Sequence, residues 1–180
     1  MLELTILGFL HERPLHGYEL KERIHRLSGH VRPVSDGALY PAIARLQKNG
    51  LVDSRTEPGA GAAPRRTLSL TDEGRAELYA RLRSPKDIEI SDGQRFFTLL
   101  SFLGRLPDPA EQAAVLRRRQ DFLNAPASFF YADGAPVRAE QEPDPFRRGM
   151  LRIARATGTE EKAWLAETLA ELDRRIDATR

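Results

Sequence analysis

The hydrophobic pattern opens with residues 2–12, apolar on nearly every side (Leu2, Leu4, Ile6, Leu7, Phe9, Leu10), as expected of a helix buried in the middle of a small domain. The stretch His11 to His16 carries Pro14 and predicts a turn. From Gly17 to about Ser28, Leu20, Ile24 and Leu27 form one stripe while Lys21, Arg23 and Arg26 fall elsewhere, which predicts an amphipathic helix. Gly29 supplies a stop, and Pro33 keeps the connector extended. A third helix is predicted from Ser35 or Asp36, both N-cap types, to Asn49-Gly50. Leu39, Ile43 and Leu46 make its core-facing stripe, and Tyr40, Ala44, Arg45 and Lys48 lie on other faces. Pro41 is awkward this far into a helix, so the pattern places the start only to within a turn.

After Gly50 the period changes. Residues 51–56 and 66–70 are short, partly alternating runs that suit strands, and the Gly- and Pro-rich residues 58–64 between them predict a hairpin with a flexible tip. Thr71-Asp72-Glu73 opens a fourth helix, with a capping hydroxyl and carboxylates at the positive end of the helix dipole. This order of elements is that of a winged helix-turn-helix. A domain boundary is expected at Ser84-Pro85. Beyond it the pattern predicts helices over about 92–104 and 108–124, a Pro-rich stretch at 125–145 that cannot be one helix, and helix again from Phe146. Thr159-Glu160-Glu161 reads as the start of a last helix, where Leu165, Leu169, Leu172 and Ile176 step by 4, 3 and 4 in a heptad-like seam. The expected fold is mainly α with a small β-hairpin: a winged helix-turn-helix DNA-binding domain over 1–84 and a helical dimerisation domain over 85–180.

Composition narrows the chemistry. The 180 residues hold no cysteine, which removes disulfides, thiolate metal sites and thiol catalysis together. No run of about 18 apolar residues suits a membrane span, no signal-peptide pattern opens the chain, and a cytoplasmic protein is expected. The four histidines (His11, His16, His25, His30) lie within the first 30 residues, but His25 and His30 are spaced i, i+5 and share no helix face. No catalytic, phosphate-loop or dinucleotide pattern appears, so no catalytic site, metal or cofactor is expected. The net charge of +2 announces no polyanionic partner by itself. Residues 1–84 carry 13 Lys+Arg against 10 Asp+Glu, a small excess compatible with ordinary scatter.

Nucleic-acid contact has firmer support. The second helix of a helix-turn-helix lies in the major groove and offers its early residues to base edges. Here those are Ser35, Asp36, Gly37, Ala38, Tyr40 and Pro41, several of them small enough to let the backbone come close. Arg45 and Lys48 are placed to reach phosphates, and the hairpin brings Arg55, Arg65 and Arg66 beside its tip, where a wing touches the backbone or minor groove. Surface solvation is the plain alternative for each of these charges, and core packing on the second helix is the alternative for Tyr40. In the second half, Phe96, Phe97, Phe102, Phe129, Phe130, Tyr131 and Trp164 fit either a pocket for a small hydrophobic or aromatic effector or, more plainly, a core or dimer seam. Trp164 beside Leu165, Leu169, Leu172 and Ile176 is read as dimer packing. A winged-helix module for protein assembly, without a DNA ligand, is the rival reading.

The runs HGYEL (His16–Leu20), GALYPAIARLQKNGLV (Gly37–Val52) and RRTLSLTDEGR (Arg65–Arg75) resemble the PadR-like family of transcriptional regulators over roughly the first 80 residues. Residues 96–123 and the helix of Trp164-Leu165 resemble, less closely, the helical C-terminal domain of one branch of that family. The resemblance implies a homodimer paired through C-terminal helices, with two wings and two reading helices facing an inverted-repeat operator of double-stranded DNA; if both helices sit on one face of the duplex, they stand about 34 Å apart. It also implies repression, relieved by a small hydrophobic molecule. On this resemblance the DNA-contacting positions are His16, Gly17 and Tyr18 at the start of the second helix, Ser35, Gly37, Tyr40, Pro41 and Arg45 on the reading helix, and Arg65 and Arg66 on the wing. The Pro-rich stretch 125–145 departs from the long helices of relatives.

Overall fold

The computed structural model describes residues 1–28, 34–57, 65–125, 131–132 and 135–178, with backbone only for Ser28, Glu57, Arg65, Tyr131, Ala132 and Pro136. The expectations for Gly29, His30, Pro33, the hairpin tip at 58–64, Phe129 and Phe130 lie outside the described residues. The chain divides into two compact units, Met1–Pro107 and Asp108–Arg180. The first break in compactness therefore comes later than Ser84-Pro85.

The first unit is a winged helix-turn-helix with two added helices. Its order is α1 (Leu2–Glu12), β1 (Leu15–His16), α2 (Gly17–Ser28), α3 (Asp36–Lys48), β2 (Val52–Glu57), β3 (Arg65–Leu70), α4 (Asp72–Arg83), α5 (Asp87–Ser91) and α6 (Gly93–Leu103). α1 runs through the centre, with Leu4, Ile6, Leu7 and Leu10 buried, because its apolar residues point in every direction and each finds a neighbour. Gly8 lets α6 come close: a Cβ there would lie 2.4 Å from the Phe102 ring, which packs edge-on against Phe9 with centroids 5.1 Å apart. This contact explains why the compact unit continues past residue 84. Phe96, Leu99 and Phe102 bury the inner face of α6 in the same core.

The three strands pair antiparallel in the order β1-β3-β2. The stretch His11 to His16 is therefore not only a turn. Leu15 and His16 form a short strand opposite Leu68 and Thr67, and Leu15 is buried. Local pattern misses such a strand because its hydrogen-bond partner lies fifty residues on.

The exit of α3 meets the start of α4 in a tight joint. Gly50 takes φ +72, a left-handed conformation open to glycine at little steric cost. The Thr71 hydroxyl donates to the Gly50 carbonyl at 2.7 Å and accepts from the Gly74 amide at 2.9 Å, capping α4. A Cβ on Gly74 would sit 2.0 Å from the Leu51 carbonyl oxygen. The ends of the two longer runs quoted above, residues 49–52 and 71–74, thus form this joint.

The second unit is built on α7 (Pro109–Asn124) and α8 (Pro145–Asp177), joined by a two-residue strand pair, β4 (Tyr131–Ala132) with β5 (Ala135–Pro136), and a 3-10 turn at Ala139–Gln141. Thr159 does not start a helix. α8 begins at Pro145, where the Asp144 carboxylate accepts from the Phe146 amide at 2.8 Å, and runs unbroken through Gly158 and Thr159. Its buried seam begins at Leu151 and continues through Leu165, Leu169 and Leu172, so packing on both sides carries the helix across two weak helix formers. The three leucines expected to meet a second copy are buried within one chain, whose α7 contributes Ala113, Val115 and Leu116 to this unit's core. Arg119 of α7, 5% exposed, grips Glu161 of α8 with two hydrogen bonds of 2.7 and 3.0 Å and so fixes their register.

Candidate nucleic-acid interface

α3 buries Leu39, Ala42, Ile43 and Leu46. At about 100° per residue its outward face is then centred on Gly37, Pro41, Ala44 and Lys48, all exposed. No side chain before Lys48 projects far from this face, which leaves the backbone approachable. Pro41 lies inside the helix. Its ring nitrogen offers no proton to Gly37, four residues back, and the exposure of this face leaves that carbonyl open to water. Ser35 sits at the N-cap without a side-chain capping bond, its carbonyl accepting from the Ala38 and Leu39 amides at 3.0 Å each. Lys21 of α2 pairs with Asp36 at 2.8 Å, tying the two helices of the motif at the reading end. That hydrogen bond raises the Lys21 pKa.

One flank of α3 faces the start of α2 and the sheet. Tyr40 is 52% exposed, and its ring edge lies 3.6 Å from where a Gly17 Cβ would stand. It is thus an exposed aromatic leaning on α2 rather than a core residue. Tyr18 is 78% exposed. His16 is fixed by its Nδ1, 3.2 Å from the Thr67 hydroxyl. Arg66 donates to Gln47 at 3.1 Å, so the wing base is tied to the end of the reading helix. His16, Gly17, Tyr18, Tyr40 and Arg66, with Glu19, Ile43 and Leu68, line one open cleft of about 520 Å³. Arg55, exposed on β2, stands opposite Thr67 in the sheet register.

Arg45 is placed differently. It lies on the opposite flank, where its Nε donates to Glu3 of α1 at 3.1 Å. Of the expected wing pair, Arg66 is described in full and the Arg65 side chain is outside the described residues. Gln47 is a residue of this surface that the sequence pattern does not single out. Its position seven residues after Tyr40, on the same helix flank, was the available signal.

In the second half, Phe96 and Phe102 are buried in the core of the first unit, while Phe97 is 69% exposed and Trp164 half-buried. Among the described residues no group of His, Asp and Glu is arranged to hold a metal ion, and no helix is long and apolar enough to cross a membrane.

The family model described as Transcriptional regulator PadR-like family matches residues 6–80. Transcriptional regulator Rv3488 of Mycobacterium tuberculosis is 34% identical over 95 residues, 52% of this chain and 85% of that one. The negative transcriptional regulator PadR of Bacillus subtilis is 27% identical over 79 residues, 44% of this chain and 43% of that one. Among solved structures, Bacillus subtilis PadR in complex with operator DNA is 22% identical, with 95% of this chain and 98% of that one covered and a TM-score of 0.46. The chain spans only 21% of a Streptomyces fradiae transposon protein and 33% of Escherichia coli YqjI, two further curated relatives. Because the Mycobacterium regulator, 34% identical, is matched over 85% of its length and the family model runs from within α1 to within α4, the chain belongs to the PadR-like family of transcriptional regulators.

Proposed function

We propose that the protein is a sequence-specific DNA-binding repressor acting as a homodimer on an inverted-repeat operator. The observation that carries the DNA reading is the convergence of His16, Gly17, Tyr18, Tyr40 and Arg66 on one cleft beside the bare outer face of α3. A groove-reading helix needs an approachable backbone flanked by aromatic and basic groups, and this surface offers both. Ser35, Gly37, Tyr40 and Pro41 meet base edges in this reading, while Lys48, Arg65 and Arg66 meet phosphates. The name of the Bacillus subtilis relative, a negative regulator, supports repression.

The homodimer reading draws support from α8. Phe146, Met150 and Ile153, spaced i, i+4 and i+7, are 86%, 41% and 71% exposed in the single chain. Exposed Arg147 and Arg152 lie to either side of them, and exposed Glu160, Glu167 and Glu171 follow in the other half of the helix. Two such helices laid antiparallel match basic half to acidic half and cover the apolar stripe. With Leu165, Leu169 and Leu172 buried in one chain, the pairing surface in this proposal moves to Phe146, Met150 and Ile153, with Trp164 and Ile176 half-buried. Release by a small hydrophobic or aromatic effector rests on the family resemblance alone, and quenching of Trp164 fluorescence by such compounds is its test.

Selection from random-sequence duplexes tests the DNA reading. An enriched inverted repeat is expected, together with weaker binding of Arg66→Ala to all duplexes and a salt slope lower by about one. No enriched motif would leave the protein-assembly reading in its place.

A further inference from the structure

Arg45 stands at the edge of the outward face of α3, next to Ala44, and is 60% exposed at its side chain. Its Nε donates to one oxygen of Glu3 at 3.1 Å, and the other Glu3 oxygen accepts from Arg81 Nη1 of α4 at 3.2 Å. Arg81 is itself steadied by Glu77 at 2.7 Å. Burial pushes the Glu3 carboxyl up, but the hydrogen bonds from Arg45 and Arg81 outweigh it and hold the group below the usual carboxylate range. Glu3 is therefore an anion at neutral pH, gripped by cations from two other helices.

A guanidinium binds carboxylate and phosphate through the same fork of N–H donors. The Arg45–Glu3 pair is monodentate and solvent-exposed, the kind of ion pair that a second anion displaces easily. Arg66 on the opposite flank rests, among the described residues, on the neutral amide of Gln47 instead of a carboxylate. We infer that Glu3 occupies the place of a DNA phosphate on Arg45, holding the side chain back in the free protein and yielding it when a duplex docks. Glu3 then sets affinity from outside the reading helix. The inference rests on the reading that α3 faces DNA.

Glu3→Gln keeps the shape and removes the charge. Binding of a mixed-sequence duplex to the full chain is measured for wild type, Glu3→Gln, Arg45→Gln and the double variant over a salt series. Glu3→Gln is expected to bind up to about fivefold tighter, the range an exposed ion pair allows. The gain is expected to disappear in the Arg45→Gln background, because it runs through Arg45. Unchanged or weaker binding by Glu3→Gln overturns the inference, weaker binding meaning that Glu3 positions Arg45 for DNA. An equal gain in both backgrounds also overturns it, since that is general repulsion by a nearby charge. Should Glu3→Gln melt early, Glu3→Asp, which keeps the charge but shortens the reach, must give the same Arg45-dependent gain. Failure of wild type to bind any duplex defeats the DNA reading itself and this inference with it. Wild-type binding without the coupled gain defeats the inference alone.

Discussion

The two units spend their apolar surface differently. In the first, α1 is wrapped on all sides, and glycines at 8 and 74 bring neighbouring elements closer than any side chain permits. What stays exposed near its reading surface, Tyr18 and Tyr40, is aromatic with a polar end. In the second unit α8 has two apolar stripes, one buried through Leu151, Leu165, Leu169 and Leu172, the other leaving Phe146 and Ile153 open. A pair of helices has too little core to bury both stripes at once. The difference teaches that the first unit closes its core around one central helix, whereas the second leaves along α8 the apolar surface on which the proposed pairing rests.

The largest effects test how the two cores are filled. Gly74→Ala forces a methyl into the Leu51 carbonyl, and Leu165→Ala empties a site with no exposed surface. Each is expected to cost about 3 kcal/mol in urea unfolding. Gly149→Ala is the counter-case in α8, where a Cβ meets nothing within 4 Å. It is expected to stabilise by about 0.5–1 kcal/mol through helix propensity alone. A Gly74→Ala variant as stable as wild type would show that the joint between α3 and α4 is looser than the close approach requires.

How much of this the sequence disclosed follows from how local each feature is. Leu39, Ile43 and Leu46 repeat at helical spacing and announce their own burial, and the Thr71 cap is written in consecutive residues. β1 is not so written, because Leu15 and His16 become a strand only against Leu68 and Thr67. The unbroken α8 is hidden by Gly158 and Thr159, which read as a boundary until Leu151 is seen on the same buried side as Leu165. At the reading surface, residue types disclosed the candidates but not their partners. Nothing near Arg45 in sequence points to Glu3, and nothing near Arg66 points to Gln47.

The next test sharpens the claim about the open stripe. Ile153→Asp places a charge on an exposed position, so the stability of a single chain should change by less than about 0.5 kcal/mol. Sedimentation should nevertheless shift from dimer toward monomer, and affinity for a two-site operator should fall more than affinity for one half-site. An unaltered sedimentation profile would show that the stripe is not what joins two copies.

The smallest effect separates the units by pH. All four histidines lie within the first 30 residues, and His11 is placed in the first unit. His11, in the last turn of α1, faces α4, where its Nε2 is 3.0 Å from the Tyr79 hydroxyl and 3.3 Å from Arg75 Nη1. The guanidinium has only protons to give, so Nε2 accepts and Nδ1, buried without a partner among the described residues, carries the ring proton. Burial, then the charges of Arg75 and Arg105, push the His11 pKa down from its ordinary value, and Glu12 opposes them weakly. The unfolded chain thus binds a proton that the folded chain refuses. Stability is full above the ordinary value near 6.5 and declines as pH falls through it, levelling off below the lowered folded value. His11→Gln removes this titration, so its melting temperature should fall less than that of wild type between neutral pH and pH 5, with the difference confined to the transition that also abolishes DNA binding. Equal pH dependence in the two proteins would mean that Arg75 and Tyr79 do not hold His11 in its neutral form.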